Sequence, residues 1–359
     1  MAIGLPQIEI TFSSLARTAV QRSARGIVAL IVKDDTDTSF SVKEYKLASE
    51  VEKAAFTAEN VKYIQDVLGG GASKVIVARV SVDSTEATEE AIQAIGKKKY
   101  NWIGHATGAA AEHTSLAAYV KEQEKTGKNI KAIVYKATNP DSMCVVNFTN
   151  ETLTKIDDSE IAGDKYIARL LGLLAGLPMT QSGTYKVLED LKSVKEPADL
   201  EAAVNNGELV LFNDDDQVRV ARAVNSLQTL GEGVTEDMKK IIVVETMHLI
   251  REDIYTTFKQ DYLGKYKNKY DNQILFISAV NTYFDALERE EILDSEYDNR
   301  SDIDVEEQRQ AWIDIGKTEA SDWDDSKVRI NTFRSNVFLA GSIKILDAIE
   351  DLKFGITMQ

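Results

Sequence analysis

The chain has 359 residues, 43% hydrophobic and 8% aromatic, enough for two or three globular domains, and its 4 prolines and 20 glycines exclude Pro-rich and low-complexity tracts. A formal charge of −16, from 42 basic and 58 acidic residues, argues against nucleic acid, whose phosphates demand a basic surplus. The single cysteine, Cys144, excludes an internal disulfide; the absence of a leader or of any run of about 18 apolar residues predicts a cytosolic chain without a membrane anchor.

In chain order, Gln7–Ser13 alternates strictly, with Ile8, Ile10 and Phe12 on one face, the period of a half-buried strand. Ile27–Val32 is a continuous apolar run suited to a central strand. Residues 57–68 read as a helix capped by Thr57 and closed by Gly69-Gly70-Gly71. Lys74–Val80 follows as a buried strand, Thr85–Ile95 as a helix, Tyr100–Ile103 as a short strand and Glu112–Thr126 as a helix. Ile130–Tyr135 and Met143–Phe148 are again strands, and this alternation predicts an α/β domain over 25–150. Asp164–Gly176 reads as an apolar helix ending near Pro178. Thr184–Leu191, Glu208–Phe212 and Val218–Ala223 read as strands, the last two joined by a turn at Asn213–Asp216. Thr235–Leu263 and Asn272–Glu290 read as helices.

The charge is unevenly spread. Residues 285–325 hold sixteen acids against four bases, a net of −12, while residues 1–33 and 326–359 carry +3 and +2. Such a block is either a solvated acidic face or one that meets basic ends of neighbouring copies. Beyond it, Phe333, Val337, Gly341, Ile345 and Ile349 recur every four residues, which predicts an amphipathic helix over Phe333–Asp351. Leu352, Phe354, Ile356 and Met358 then alternate as a final strand. The predicted class is α/β, with mixed sheets flanked by helices and a strand arm at each end.

Motifs that would carry chemistry are weak. Ala311–Thr318 resembles a loosened P-loop, but it follows a charged helical stretch instead of a buried strand and precedes acidic residues. His105, His113, His248 and Cys144 have no metal-ligand spacing, and no nucleophile elbow occurs. Asn213–Asp216 lacks the glycine and glutamate of a calcium loop. Neither a catalytic group, a cofactor nor a metal is expected. The alternative reading is an α/β nucleotide-binding protein or enzyme using the 25–150 domain.

Amphipathic strands at both chain ends are unusual, because an unpaired apolar strand invites aggregation. Each pairs at home or adds to a neighbour's sheet. The order of Leu174–Pro178, Ser182–Tyr185, Gly207–Leu211, Val218–Leu227, Glu252–Ile254 and Tyr262–Asn268, with Ile3–Pro6 and Ser23–Gly26, resembles the contractile tail sheath proteins of phages and phage-tail-like bacteriocins, of the small prophage type. The likeness is best over 165–359. It implies arms at 1–22 and 352–359 that exchange strands through Ile8, Ile10, Phe12, Phe354, Ile356 and Met358. It also implies a variable outer α/β domain at 23–160 and a sheath core at 161–351, with Arg334 and Lys344 of the last helix facing an inner tube. The implied partners are further copies in a helical polymer, the tube protein, the baseplate and a tail terminator. Assembly in the bacterial host cytoplasm, release as part of the particle, and contraction without nucleotide or other cofactor complete the expectation.

Overall fold

The computed structural model describes residues 19–358. Among the described residues the chain forms two compact units: 23–252 with 345–358, and 253–344 with 19–22.

In the first unit β1 (Ile27–Lys33), β2 (Val42–Tyr45), β3 (Lys74–Val80), β4 (Trp102–His105), β5 (Lys131–Tyr135), β6 (Val145–Phe148) and β10 (Glu208–Leu209) make one sheet. Its order is β10-β6-β5-β4-β1-β3-β2, parallel throughout except for β2. The apolar run of β1 is what a strand buried on both faces requires. Val28, Leu30 and Val32 pack on one side with α1 (Ala58–Gly69) and α4 (Ile167–Gly176); Ala29 and Ile31 pack on the other with α2 (Ala87–Ile95) and α3 (Ala110–Lys125). Thr57 caps α1 as expected, its hydroxyl accepting the Asn60 amide at 3.3 Å.

The glycine triplet does more than stop that helix. A Cβ on Gly70 would lie 2.4 Å from the carbonyl carbon of Gly172, and one on Gly172 only 2.2 Å from the Val67 carbonyl oxygen, so α1 and α4 touch backbone to backbone. The boundary expected near residue 160 is absent because α4 and β10, both beyond it, belong to the core of the same sheet.

Smaller sheets complete this unit. The strands β7 (Thr152–Lys155), β8 (Glu160–Ala162) and β9 (Leu191–Val194) pair antiparallel in the order β8-β7-β9. The hairpin of β11 (Leu211–Asp214) and β12 (Gln217–Val220) turns at Asp215-Asp216, within the stretch expected to turn. Between them lies the short α5 (Leu200–Asn205). The strand expected at Thr184–Leu191 is reduced to a bridge between Val187 and Arg219, because Tyr185 takes a left-handed φ of 58° that breaks an extended run.

α6 (Ile241–Thr257) ends in a π-helical turn, Phe258–Tyr262; its residues after Glu252 belong to the second unit. There α7 (Tyr270–Arg289) buries Phe276, Val280, Tyr283 and Leu287. β13 (Arg300–Ile303), α8 (Val305–Asp314), α9 (Asp325–Ile330) and β14 (Leu339–Ser342) follow. The acidic block is therefore folded, built around Ala320, Trp323 and Val328 with Trp312 and Ile313 against them. The P-loop-like residues begin inside α8, so what directly precedes them is helix and not the end of a buried strand.

Candidate assembly surface

An open parallel sheet binds ligands at the carboxyl ends of its strands, where the order reverses. Here that point lies between β1 and β4. It is filled by the chain's own groups. Asp34, after β1, is fully buried and accepts from the Thr57 amide and the Asn60 side chain, both at 2.7 Å, which places a carboxylate at the N-terminus of α1. Glu112 does the same for α3, accepting the Ala109 amide at 2.8 Å and pairing with Lys33. His105, ending β4, shares a 2.9 Å hydrogen bond with Thr88. Both helix N-termini that would attract phosphate are thus occupied by anions. The hollow alongside, about 310 Å³, is lined by Glu86, Glu89 and Glu112.

The grouping that most resembles catalytic machinery joins residues far apart in sequence. Lys131 Nζ lies 3.1 Å from His248 Nδ1 and 3.1 Å from Glu245 Oε1, and His248 Nε2 lies 3.7 Å from Cys144 Sγ. An ammonium only donates, so His248 accepts at Nδ1 and carries its proton at Nε2, pointing at sulfur. It therefore has no free lone pair with which to take the thiol proton, and burial pushes the Cys144 thiol up. Glu245 also accepts from Trp102 Nε1 at 2.8 Å and Arg25 at 3.0 Å. Burial works to raise its carboxyl, but Lys131 and Arg25 outweigh that and hold it below the ordinary range. This is a satisfied polar core, and its chemistry is structural.

All three histidines are buried. Burial, with His113 beside it, pushes His105 down to about 3, and burial likewise lowers His113 and His248. The folded chain keeps them neutral, while the unfolded chain takes protons near pH 6.5. Their stabilisation is complete above that pH and declines as pH falls through the window toward the folded values, by up to about 1.4 kcal/mol per pH unit per histidine. Melting temperature should therefore fall steadily from pH 7 to pH 5, before carboxylates titrate. A flat profile over that range in calorimetry would contradict this.

The helix expected over Phe333–Asp351 does not form. Arg334 takes a φ of 44°, and the chain then enters β14, which pairs antiparallel with β13 so that Gly341 faces Ser301. Every-fourth-residue spacing also satisfies a strand's period of two, and an available partner strand decides the outcome. Arg334 is exposed, with its guanidinium over the Phe333 ring at 5.4 Å; Lys344 is engaged by Asp294 at 2.8 Å. Two acids of the block are likewise committed locally: Asp302 to Arg329 at 2.6 Å, and Asp304 to the Glu307 amide at the head of α8.

The two-stranded β13-β14 sheet has one edge blocked. The Asn281 side chain accepts the Ser301 amide at 2.7 Å and donates to its carbonyl at 3.1 Å, occupying the outer rim of β13 as a strand would. On the outer side of β14 no strand pairs among the described residues, and Ala340, Gly341 and Ser342 are exposed. In the first unit, the C-terminal residues have no strand partner among the described residues. Leu352, Phe354, Ile356 and Met358 are 89%, 76%, 74% and 91% exposed. Four large apolar side chains at alternate positions in solvent are the signature of a surface awaiting cover. Ile8, Ile10 and Phe12 lie outside the described residues.

Residues 234–359 match the family model of the phage tail sheath C-terminal domain. The tail sheath protein of Clostridium phage phiCD119 is 33% identical over 368 aligned positions, covering 99% of both chains. Among solved structures, a sheath tail protein from Listeria innocua superposes with a TM-score of 0.70 at 16% identity, covering 93% of this chain and 96% of that one. The contracted helical sheath of the anti-feeding prophage superposes at 0.71 with 11% identity over the whole of both chains.

Proposed function

This chain belongs to the phage tail sheath protein family, and from that premise we propose that it polymerises as a helical cylinder around an inner tube and shortens to drive that tube through a target envelope. The observation that carries the reading is the exposed, alternating Leu352–Met358 segment. Paired in a neighbour's sheet, each of its apolar side chains contributes roughly 1.5–3 kcal/mol gross. The outer edge of β14 is the acceptor we assign, because a two-stranded ribbon is marginal alone and its other rim is closed by Asn281. By the same logic Ile8, Ile10 and Phe12 form the second arm.

The role is mechanical and non-enzymatic in this reading; the carboxylate-filled switch point and the protonated His248 Nε2 support it. Baseplate and terminator bind at the ends of the cylinder, and assembly takes place in the host cytoplasm. Of the two candidates for the tube, exposed Arg334 is favoured over Lys344, whose ammonium Asp294 holds. Negative-stain microscopy of the purified protein tests the function. Hollow cylinders are expected, and a protein that stays monomeric at every concentration, with or without tube, would refute it.

A further inference from the structure

The exposed segment has a fixed root. Three separate parts of the chain converge on Asp347, Glu350 and Asp351. Lys240, just before α6, pairs with Asp347 and lies 3.3 Å from Glu350. Arg222, beyond β12, reaches both Asp351 carboxylate oxygens at 2.7 Å and approaches Glu350 at 3.5 Å. Ser182 donates to Glu350 Oε1 at 3.0 Å. The Glu350 side chain is only 4% exposed, yet Ile349 beside it is 98% exposed. An acid is buried while its apolar neighbour is left in water, the reverse of what solvation alone would choose. Glu350 Oε2 accepts no hydrogen bond in the structure and is held by the two cations alone.

We propose that this acid–base clip sets where the C-terminal arm begins and so controls how fast it finds a neighbour. The inference rests on the reading of Leu352–Met358 as an assembly arm. With the clip closed, the seven described residues after Asp351 are free; opened, the free length nearly doubles to the thirteen after Ile345, which sits in a β-bridge beside Lys344, itself held by Asp294 and Asn299. Effective concentration falls roughly as the −3/2 power of tether length, so doubling it costs about a threefold drop. The clip acts on rate and register; holding neighbouring copies together falls to the apolar side chains.

The test uses the full chain with Glu350→Gln, Asp351→Lys and the conservative Asp351→Glu. Hydrogen exchange on the monomer reads the clip itself. Residues 346–351 should exchange faster in the first two variants and as wild type in the third, with melting temperature unchanged. Elongation followed by light scattering should slow about threefold in the first two and recover in the third. Unchanged exchange in Glu350→Gln and Asp351→Lys, or faster exchange with wild-type elongation, overturns the clip. A chain lacking Lys353–Gln359 run alongside separates the two ideas. If it polymerises normally, the arm reading itself has failed; if it does not while the clip variants assemble at the wild-type rate, only the clip has.

Discussion

A chain cut after Leu352 is expected to fold and melt as the full-length protein does and to form no polymer at any accessible concentration. Phe354, Ile356 and Met358 are largely exposed, so the subunit loses nothing that holds its own core when they go. In a neighbour's sheet the same three side chains contribute about 4.5–9 kcal/mol gross, and every 1.4 kcal/mol withdrawn weakens association tenfold. The two readouts therefore move oppositely: melting temperature stays, assembly disappears. A melting temperature lowered by several degrees would mean that the segment packs within its own subunit.

The second large effect lies in the core of the first unit. Glu245→Ala should destabilise by about 3–5 kcal/mol, because it strands Lys131, whose side chain is 3% exposed, and leaves Trp102 Nε1 without its acceptor. For a unit of this size each kcal/mol shifts melting by about 2–4 °C, so a drop of roughly 6–20 °C is expected. Glu245→Gln keeps the acceptor but not the charge and should fall between. The comparison is Lys192→Ala, which removes the exposed ion pair with Asp158 and should shift stability by less than about 1 kcal/mol. A Glu245→Ala protein melting with the wild type would show that Lys131 finds water or another partner.

These effects mark how far the sequence could be read. The α/β alternation from Ile27 to Phe148 was legible because its strands are continuous apolar runs and its helices carry caps such as Thr57 and terminators such as Gly69–Gly71. At Leu352–Met358 the same period-two signal predicts a strand, but the segment forms none with the described residues of its own chain and its four apolar side chains stand exposed. Failures came where distant residues decide. The stripe from Phe333 to Ile349 fitted a helix until β13 supplied a strand partner for Leu339–Ser342. No local pattern announced that Gly172 would take the backbone of Val67 against it, or that β10 would join a strand sixty residues earlier and erase a boundary near 160. The Lys131, Glu245, His248 and Cys144 grouping spans over a hundred positions and has no motif. Composition leaves the acidic block as either a solvated face or one that meets neighbouring copies, and gives no local signal that it packs two tryptophans and caps its own helices.

Cross-linking between two differently marked chains reads whether the C-terminal segment of one copy joins the β14 edge of another. Cys144 is buried, so introduced cysteines are the reactive ones. A Phe354→Cys chain mixed with an Ala340→Cys chain, assembled and treated with a short thiol cross-linker, should give heterodimers joined between those two positions. Either chain alone should give none. Cylinders that form fully while yielding no such heterodimer would place the arm on some surface other than the β14 edge.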